Sequence, residues 1–353
     1  MFNHMYYVPI LRWKEGELSA LEKLYPPERK AITPLIETFG SKKQATEYKD
    51  PKILAKDLYE RWQNGRVFVD ISPTISLAPR SSHVHPVTDF FNVTSQLNMN
   101  AIPVIRLRCG SMYRAAVKDA VNRDKLGLCI RLARNDFADG SLVDELGTLV
   151  TYMGIERDSV DLVLDLAIFS PSDHDISDFL LSLPNLLEWR TITVASGAFP
   201  KNLQEVEKGP RSLPRLEWQA WKNQVRTNLP RIPTYGDYAT LHPFLTFPEK
   251  PRPSCSIKYT IENDWLIVRG WPLMNGHKSD QYHGEAKLLI EHETFCGQSF
   301  SYGDNFIYET AQRKKGPGNF QQWVTVGVNH HLTFVVHQIA KQFGNGENMV
   351  GEA

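Results

Sequence analysis

The chain of 353 residues carries 40 basic and 40 acidic residues, so nothing in its composition indicates a protein that holds a nucleic-acid backbone by bulk charge. Its hydrophobic content of 42% predicts a large core, and its four scattered cysteines, with no CxxC pair, exclude a disulfide framework. The sequence contains neither a signal peptide nor an apolar run of about 18 residues, which predicts a cytoplasmic protein without membrane contact.

Eight short segments rich in β-branched residues follow one another along the chain, separated by helix-length segments. They read YVPILRW, ITPLIE, VFVDIS, IPVIRLR, LGLCIRLAR, VDLVLDLA, RTITVAS and TYGDYA. Eight strand–helix units in succession are what a closed parallel barrel requires. We therefore expect a (β/α)8 TIM-like barrel over residues 1–245.

The alternation ends after residue 245. The segments CSIKYTI and WLIVRGW flank the turn residues Asn263 and Asp264 and predict a β-hairpin, DQYHGEAKLLIEHETF predicts a helix, and WVTVGVNHHLTFVVHQIAKQF is an apolar run that fits a final helix. We expect an α+β extension over residues 246–345, packed on the barrel, and a flexible tail over 346–353.

Strand alternation predicts charged side chains inside the barrel, near the ends of its strands. In the sixth segment Leu164 and Leu166 should face helices, which leaves Asp165 pointing inward. The other charged residues expected at or near this end of the barrel are Glu37, Asp70, Arg106, Arg108, Arg131 and Asp237. Barrel enzymes keep their sites at the C-terminal end of the strands, which we call the mouth, so this is the candidate site.

The arginines of the mouth suit a phosphate or carboxylate ligand, because a guanidinium is a planar fork of donors. A buried ion network in which the charges satisfy one another is the alternative. Further candidate ligand contacts are the backbone N–H groups of Ser196 and Gly197, the rings of Tyr235 and Tyr238, and Lys258. If the hairpin covers the mouth, Trp265, Arg269 and Trp271 join the site as well.

Several fragments together resemble the "beta protein" family, which is named for a protein of bacteriophage T4. They are YYVPILRWKEGELSAL, ITPLIE, VDIS, IRLR, LDLA, ASGAFP, the Glu217-Trp218-x-x-Trp221 segment and GDYA. The similarity covers most of residues 6–270 and continues more weakly beyond them. The resemblance implies a phage-encoded protein, or one from bacterial mobile and defence loci, and hence a role in phage–host conflict. It adds no catalytic residues.

Two functions from different classes remain open. In the first, the protein belongs to an antiviral defence system, binds a phosphorylated small molecule or a nucleic-acid end at its mouth, and offers its extension to a partner protein. In the second, it is a phosphodiesterase or nuclease with Asp70, Asp165 and Asp237 as acid, base or Mg²⁺ ligands. The sequence has no metal-binding spacing and no nucleophile–base pair, so it favours binding without a cofactor and leaves open whether the protein is an enzyme.

Overall fold

The computed structural model describes residues 4–38, 50–63, 65–71, 84–138, 140–170, 176–224, 229–244, 254–273 and 279–344. The predicted tail 346–353 lies outside these ranges. All eight predicted strands form a closed parallel barrel. They are β1 (Tyr7–Arg12), β2 (Leu35–Glu37), β3 (Val67–Asp70), β4 (Ala101–Ile105), β5 (Leu128–Ala133), β6 (Val160–Ile168), β7 (Thr191–Gly197) and β9 (Thr234–Asp237).

Helices between these strands form the outer layer of the barrel. They are α1 (Glu15–Glu22), α2 (Pro26–Ala31), α3 (Pro51–Trp62), α4 (Pro86–Gln96), α5 (Ser111–Asp124), α6 (Leu142–Met153), α7 (Ser177–Leu181) and α8 (Leu216–Gln224). The N-terminus of α3 shows how sequence sets a boundary: the Asp50 side chain accepts a hydrogen bond from the Lys52 N–H at 2.8 Å, and Pro51 occupies the first helical position. Helix α7 is short and ends at Leu181, three residues before Pro184, which cannot continue a helix.

A smaller lobe, which we call the accessory lobe, stands beside the barrel. Its sheet has the order β10–β11–β8, from β8 (Gly209–Pro214), β10 (Ser254–Thr260) and β11 (Asp264–Pro272), and α9 (Gln281–Ile290) and α10 (Tyr302–Ala311) pack with it. The hairpin β10–β11 was predicted. Strand β8 was not, and it comes from the loop between β7 and α8, so two loops at the mouth end of the barrel build this lobe.

The last helix, α11 (Phe320–Gly344), packs on the barrel rather than on the lobe alone. Its Val328, Leu332 and Ile339 belong to the same apolar core as Leu11 of β1 and Leu21 of α1. In the sequence prediction this helix is part of the extension 246–345. The structure shows that its apolar side completes the layer of helices around β1 and β9. It is the helix of the eighth strand–helix unit, since α1 and α2 both belong to the first.

The interior of the barrel has an apolar floor and a polar mouth. Inward-facing residues near the start and middle of the strands form a cluster that includes Val8, Ile10, Phe68, Val104 and Val163. The next inward positions toward the C-terminal ends carry charge. None of the helices in the described ranges combines the length and the apolar character needed to cross a bilayer.

Candidate functional site

Arg131 lies at the centre of the mouth. Its neighbours on β5, Ile130 and Leu132, belong to the core between sheet and helices, so alternation turns Arg131 into the barrel, as predicted. Its side chain is only 3% exposed. A buried guanidinium is costly unless its donors are bonded, so its surroundings decide what it does.

All five N–H groups of Arg131 have partners. Nε and Nη2 donate to Asp165 Oδ2 at 2.9 and 2.6 Å, and Nη1 donates to Asp70 Oδ2 at 2.7 Å and to Glu37 Oε2 at 2.9 Å. A longer bond of 3.3 Å joins Nη2 to the Tyr238 hydroxyl. Arg131 thus ties together strands β2, β3, β5 and β6 and the end of β9. It has no donor left for a ligand.

Asp165 is held from several sides. The Tyr238 hydroxyl donates to its Oδ1 at 2.7 Å, and the backbone N–H of Ala167 donates to the same oxygen at 2.9 Å. Ala167 has a φ of 55°, a left-handed conformation that is uncommon for alanine, where the β6–β7 register shifts between Asp165 and Ile168. Burial alone would raise the pKa of Asp165, but the Arg131 charge and these hydrogen bonds lower it below its ordinary value.

Arg106 extends the network outward. Its Nη2 donates at 2.9 Å to Asp70 Oδ2, the oxygen that also accepts from Arg131, and 42% of its side chain is exposed. Arg108 was predicted to share this site. Its side chain is 55% exposed and lies 3.6 Å from Glu145 of α6, beside the hydrogen bonds that join Arg106, Asp70 and Arg131 rather than within them. Strand β4 ends at Ile105, so strict alternation no longer governs Arg108.

Arg12 is a member of the mouth that the sequence prediction missed. It ends β1, is buried, and places Nε 3.8 Å from Oε1 of Glu37. Its Nη2 donates to the carbonyl groups of His242 and Pro243, the latter at 2.9 Å. Its position as the last residue of the first strand, two after the inward-facing Ile10, is a signal that could have identified it.

Lys258 brings the accessory lobe into the mouth. From β10 its Nζ donates to the carbonyl oxygen of Thr240 at 2.9 Å and lies 4.5 Å from the centre of the Phe199 ring. Burial lowers the pKa of Lys258 to about 8; Glu17 opposes this shift, and the neighbouring Arg12 charge adds to it. Two residues that were predicted to join the site if the hairpin covers the mouth lie by the loop after β7. Trp265 packs on Phe199, and the Arg269 guanidinium donates a hydrogen bond to the Val206 carbonyl oxygen.

Asp237 and Tyr235 face away from the mouth, which corrects their predicted placement. Between them Gly236 faces inward, where a Cβ would come within 2.8 Å of the carbonyl oxygen of Val8, so alternation puts its neighbours outside. Tyr235 packs on Trp218 of α8. Tyr238 lies two residues after Gly236 and therefore points to the same side, so its hydroxyl reaches Asp165 in the mouth.

Ser196 and Gly197 both lie within β7 rather than in a loop beyond it. Gly197 pairs with Ile168 of β6, and its carbonyl oxygen accepts from the Phe169 N–H at 3.0 Å. A Cβ at Gly197 would lie 2.9 Å from the ring of Pro243, so glycine permits the close approach of that loop. The predicted contact of these backbone N–H groups with an anion stays a prediction.

Outside the barrel wall Asp237 belongs to a second buried network. It accepts hydrogen bonds from the hydroxyl of Tyr7, from the hydroxyl of Tyr235 at 3.0 Å, and from Nε2 of His331 at 2.9 Å. The other ring nitrogen of His331 bonds the Thr260 hydroxyl at 2.8 Å. Burial alone would raise the pKa of Asp237, but His331, Arg215 and the Tyr7 hydroxyl lower it to about 2.

The neighbouring His330 forms a parallel pair in the accessory lobe. Its Nδ1 lies 2.8 Å from Oδ2 of Asp304 and its Nε2 lies 2.8 Å from the carbonyl oxygen of Thr260. Asp304 also accepts from the hydroxyls of Tyr259 and Ser301. Both nitrogens of His330 face oxygen atoms, so this ring links α11 to Asp304 of α10 and to Thr260 of β10.

The described residues give the hydrolase interpretation no support. Asp70 and Asp165 are bonded to Arg131, and Asp237 lies on the other side of the barrel wall. A metal bridge needs carboxylates that face one another without an intervening cation, and a general base needs a free lone pair directed at substrate. Across the described ranges, no group of three or more His, Cys, Asp or Glu side chains is placed to hold a metal ion.

The model of a family described as "Beta protein" matches residues 7–337, nearly the whole chain. No curated protein matches significantly. The match spans both the barrel and the accessory lobe, so the two belong to one family unit.

Proposed function

Because the chain belongs to the beta protein family, we propose that it acts in phage–host conflict as a binding module whose barrel mouth takes a phosphorylated ligand. The observation that carries this proposal is the exposed guanidinium of Arg106, held by Asp70 at the rim of a rigid ion network. The ligand class comprises phosphorylated small molecules and nucleic-acid ends. A partner protein would use the accessory lobe.

Arg106 is oriented but not saturated. Among the residues that the structure describes, Asp70 is its hydrogen-bond partner and takes one of its five N–H groups. Asp70 is itself fixed by the buried Arg131, so the Arg106 fork is held with little loss of side-chain freedom on binding. A planar fork with several open donors suits the oxygens of a phosphate.

Binding fits the mouth better than turnover does. Arg131 fills the centre of the mouth and forms ion pairs with the carboxylates of Glu37, Asp70 and Asp165. The Tyr238 hydroxyl is bonded to Asp165, and burial together with that carboxylate raises its pKa well above the ordinary tyrosine value. Although burial alone would lower the pKa of Arg131, the surrounding carboxylates raise it well above its ordinary value, so Arg131 and Tyr238 both keep their protons, which suits a rigid binding surface.

Isothermal titration with a panel of nucleotides, oligonucleotides and phosphosugars tests the proposal. We expect at least one to release heat, and the Arg106→Ala variant to bind it about 10–100-fold more weakly, since a hydrogen bond to a charged group contributes about 1.5–3 kcal/mol. Arg108→Ala is the matched control, because Arg108 is also exposed but pairs with α6 outside the network. Its affinity should equal that of the wild type.

The proposal fails if the whole panel gives no heat, or if the heat is the same in Arg106→Ala. Native mass spectrometry of protein purified from its host tests whether a partner protein binds, because it would show a retained ligand and a bound partner together. A lobe-specific partner should dissociate when β10–β11 residues are changed and persist in Arg106→Ala.

A further inference from the structure

The charged groups of the barrel mouth form one connected network of three arginines and three carboxylates. Its members are Arg12, Glu37, Asp70, Arg106, Arg131 and Asp165. Each of the three carboxylates has an oxygen within 2.9 Å of a guanidinium nitrogen of Arg131. Ion pairs this close favour the charged form of both partners. The six charges of the network therefore sum to zero before any ligand binds.

Two carboxylates of the network lie close to the exposed guanidinium of Arg106. Asp70 Oδ2 accepts from Arg106 Nη2 at 2.9 Å and from Arg131 Nη1 at 2.7 Å. The same Arg131 nitrogen donates to Oε2 of Glu37 at 2.9 Å, so the two carboxylates share one donor group and are neighbours. The Glu37 side chain is 21% exposed, so water separates its charge from the mouth only in part. An anion held by Arg106 therefore contacts one cation and has two carboxylates nearby.

The charged groups beside the network come in pairs of opposite sign. Burial lowers the pKa of Lys258 to about 8 and raises that of Glu17 to about 7, although Glu17 opposes the first shift and Arg12 opposes the second. At pH 7.5 most of each group is charged, so this pair adds little net charge. At the outer rim, Arg108 lies 3.6 Å from Glu145. These described residues give the mouth no large excess of positive charge.

We propose that the barrel mouth selects phosphodiesters, which carry one negative charge, over phosphomonoesters, which carry about 1.5–2 at neutral pH. The inference rests on the proposed function and narrows its ligand class. The first charge of a bound phosphate is matched by the open N–H groups of Arg106. A second charge would meet no uncompensated cation in the network and would lie near Asp70 and Glu37, so the loss of its hydration is not offset.

Isothermal titration at pH 7.5 with matched pairs of ligands tests the inference. Adenosine 5′-phosphate is compared with its methyl ester, and glucose 6-phosphate with its methyl ester, so the members of a pair differ in charge and in one methyl group. We expect the wild type to bind the diester of a recognised pair at least about fivefold more tightly, because the second charge of the monoester is repelled by the carboxylates. In Glu37→Gln, which removes one of these charges with little change in shape, the preference should fall below about twofold or reverse. Glu145→Gln removes a charge outside the network and should keep the wild-type preference.

The outcomes separate the inference from the proposed function. Binding of the monoester as tightly as the diester by the wild type overturns the inference and leaves the phosphate site in place. A preference for the diester that is unchanged in Glu37→Gln also overturns it, because the methyl group would then explain the preference. The pairs are extended to every phosphomonoester of the panel, and if none of them releases heat, the phosphate site fails and the inference with it.

The ethyl esters keep the test decisive if Glu37→Gln does not fold. An ethyl ester adds apolar surface to the diester without changing its charge. An affinity equal to that of the methyl ester assigns the preference to charge, whereas a further gain of the same size overturns the inference.

Discussion

Nε2 of His331 on α11 lies 2.9 Å from Oδ2 of Asp237 on β9, and this pair fastens the last helix of the chain to the last strand of the barrel. In the sequence, β10, β11, α9 and α10 of the accessory lobe lie between the two residues. The hydroxyl of Thr260, from β10, bonds the opposite nitrogen of the same ring. One imidazole therefore joins barrel, lobe and final helix.

The first prediction concerns Asp237→Asn. The change removes the negative charge of a carboxylate that accepts hydrogen bonds from the hydroxyls of Tyr7 and Tyr235 and from the ring of His331. We expect it to lower the free energy of unfolding by about 3–5 kcal/mol. Urea denaturation followed by circular dichroism measures this. Asp119→Asn, on the exposed face of α5, serves as the control and should stay within about 0.5 kcal/mol. An equal, small effect of both changes would contradict the network.

The second prediction concerns acid stability. Burial lowers the pKa of His331 below its ordinary value of 6.5, against the opposing effect of Asp237, so the folded protein holds it neutral. Below pH 6.5 the unfolded chain binds a proton that the folded chain resists, so this contribution to stability is present above pH 6.5 and is lost as the pH falls. Thermal unfolding from pH 8 to pH 5 should show a smaller pH dependence in His331→Gln.

Glu217 changes the stability with pH in the opposite direction, so its effect has to be separated from that of His331. Burial raises its pKa to about 8, although the Arg215 charge opposes this, so the folded chain binds the extra proton between about pH 4.5 and 8. Its stabilising contribution is complete at low pH and is lost as the pH rises through 8. Both the wild type and His331→Gln contain Glu217, so the difference between their melting temperatures at each pH does not include its contribution. A constant difference across the range would contradict the assignment of a neutral His331.

The third prediction separates the two arginines of the mouth by role. Arg131→Met leaves Glu37, Asp70 and Asp165 buried near one another without their cation, and we expect a loss of about 3–5 kcal/mol in unfolding free energy. Arg106→Met removes an exposed guanidinium and should cost less than about 1 kcal/mol. Chemical denaturation of both variants gives the comparison. Similar losses would mean that Arg106 is also structural, which would weaken the proposed binding role.

The fourth prediction tests the packing that turns Asp237 outward. In Gly236→Ala the new methyl would lie 2.8 Å from the Val8 carbonyl oxygen and 2.9 Å from Cβ of Ala195, so the barrel must open locally at a cost of about 1–3 kcal/mol. Gly284→Ala is the matched control, because its methyl meets nothing within 4 Å in α9 and should stabilise the protein by about 0.4–1 kcal/mol. Melting temperatures that move in opposite directions would confirm the prediction.

Local pattern was enough to predict the barrel and the centre of its mouth. The strands alternate between core and interior positions, so Arg131 and Asp165 could be assigned inward from their apolar neighbours. The same rule, applied strictly, would have placed Tyr235 and Asp237 together on the outside. The prediction that Asp237 and Tyr235 point into the mouth is therefore wrong.

Long-range contacts explain what local pattern missed. The apolar run of α11 carries His330 and His331 among residues buried on several sides, and nothing in the spacing indicates that their partners are Asp304 and Asp237. Arg12 likewise gains its role from the carbonyl of Pro243, far away in the chain. Such pairs become visible only once the barrel has closed.

Strand β8 gives the accessory lobe an unusual dependence on the barrel. It pairs with β11 over Gly209–Pro214, yet in the chain it precedes α8 and β9. Excising the hairpin and helices after residue 245 as a unit would therefore leave β8 with an open edge and no partner, a template for aggregation. A minimal barrel therefore requires that both loops be shortened together, because each loop carries strands that pair with the other.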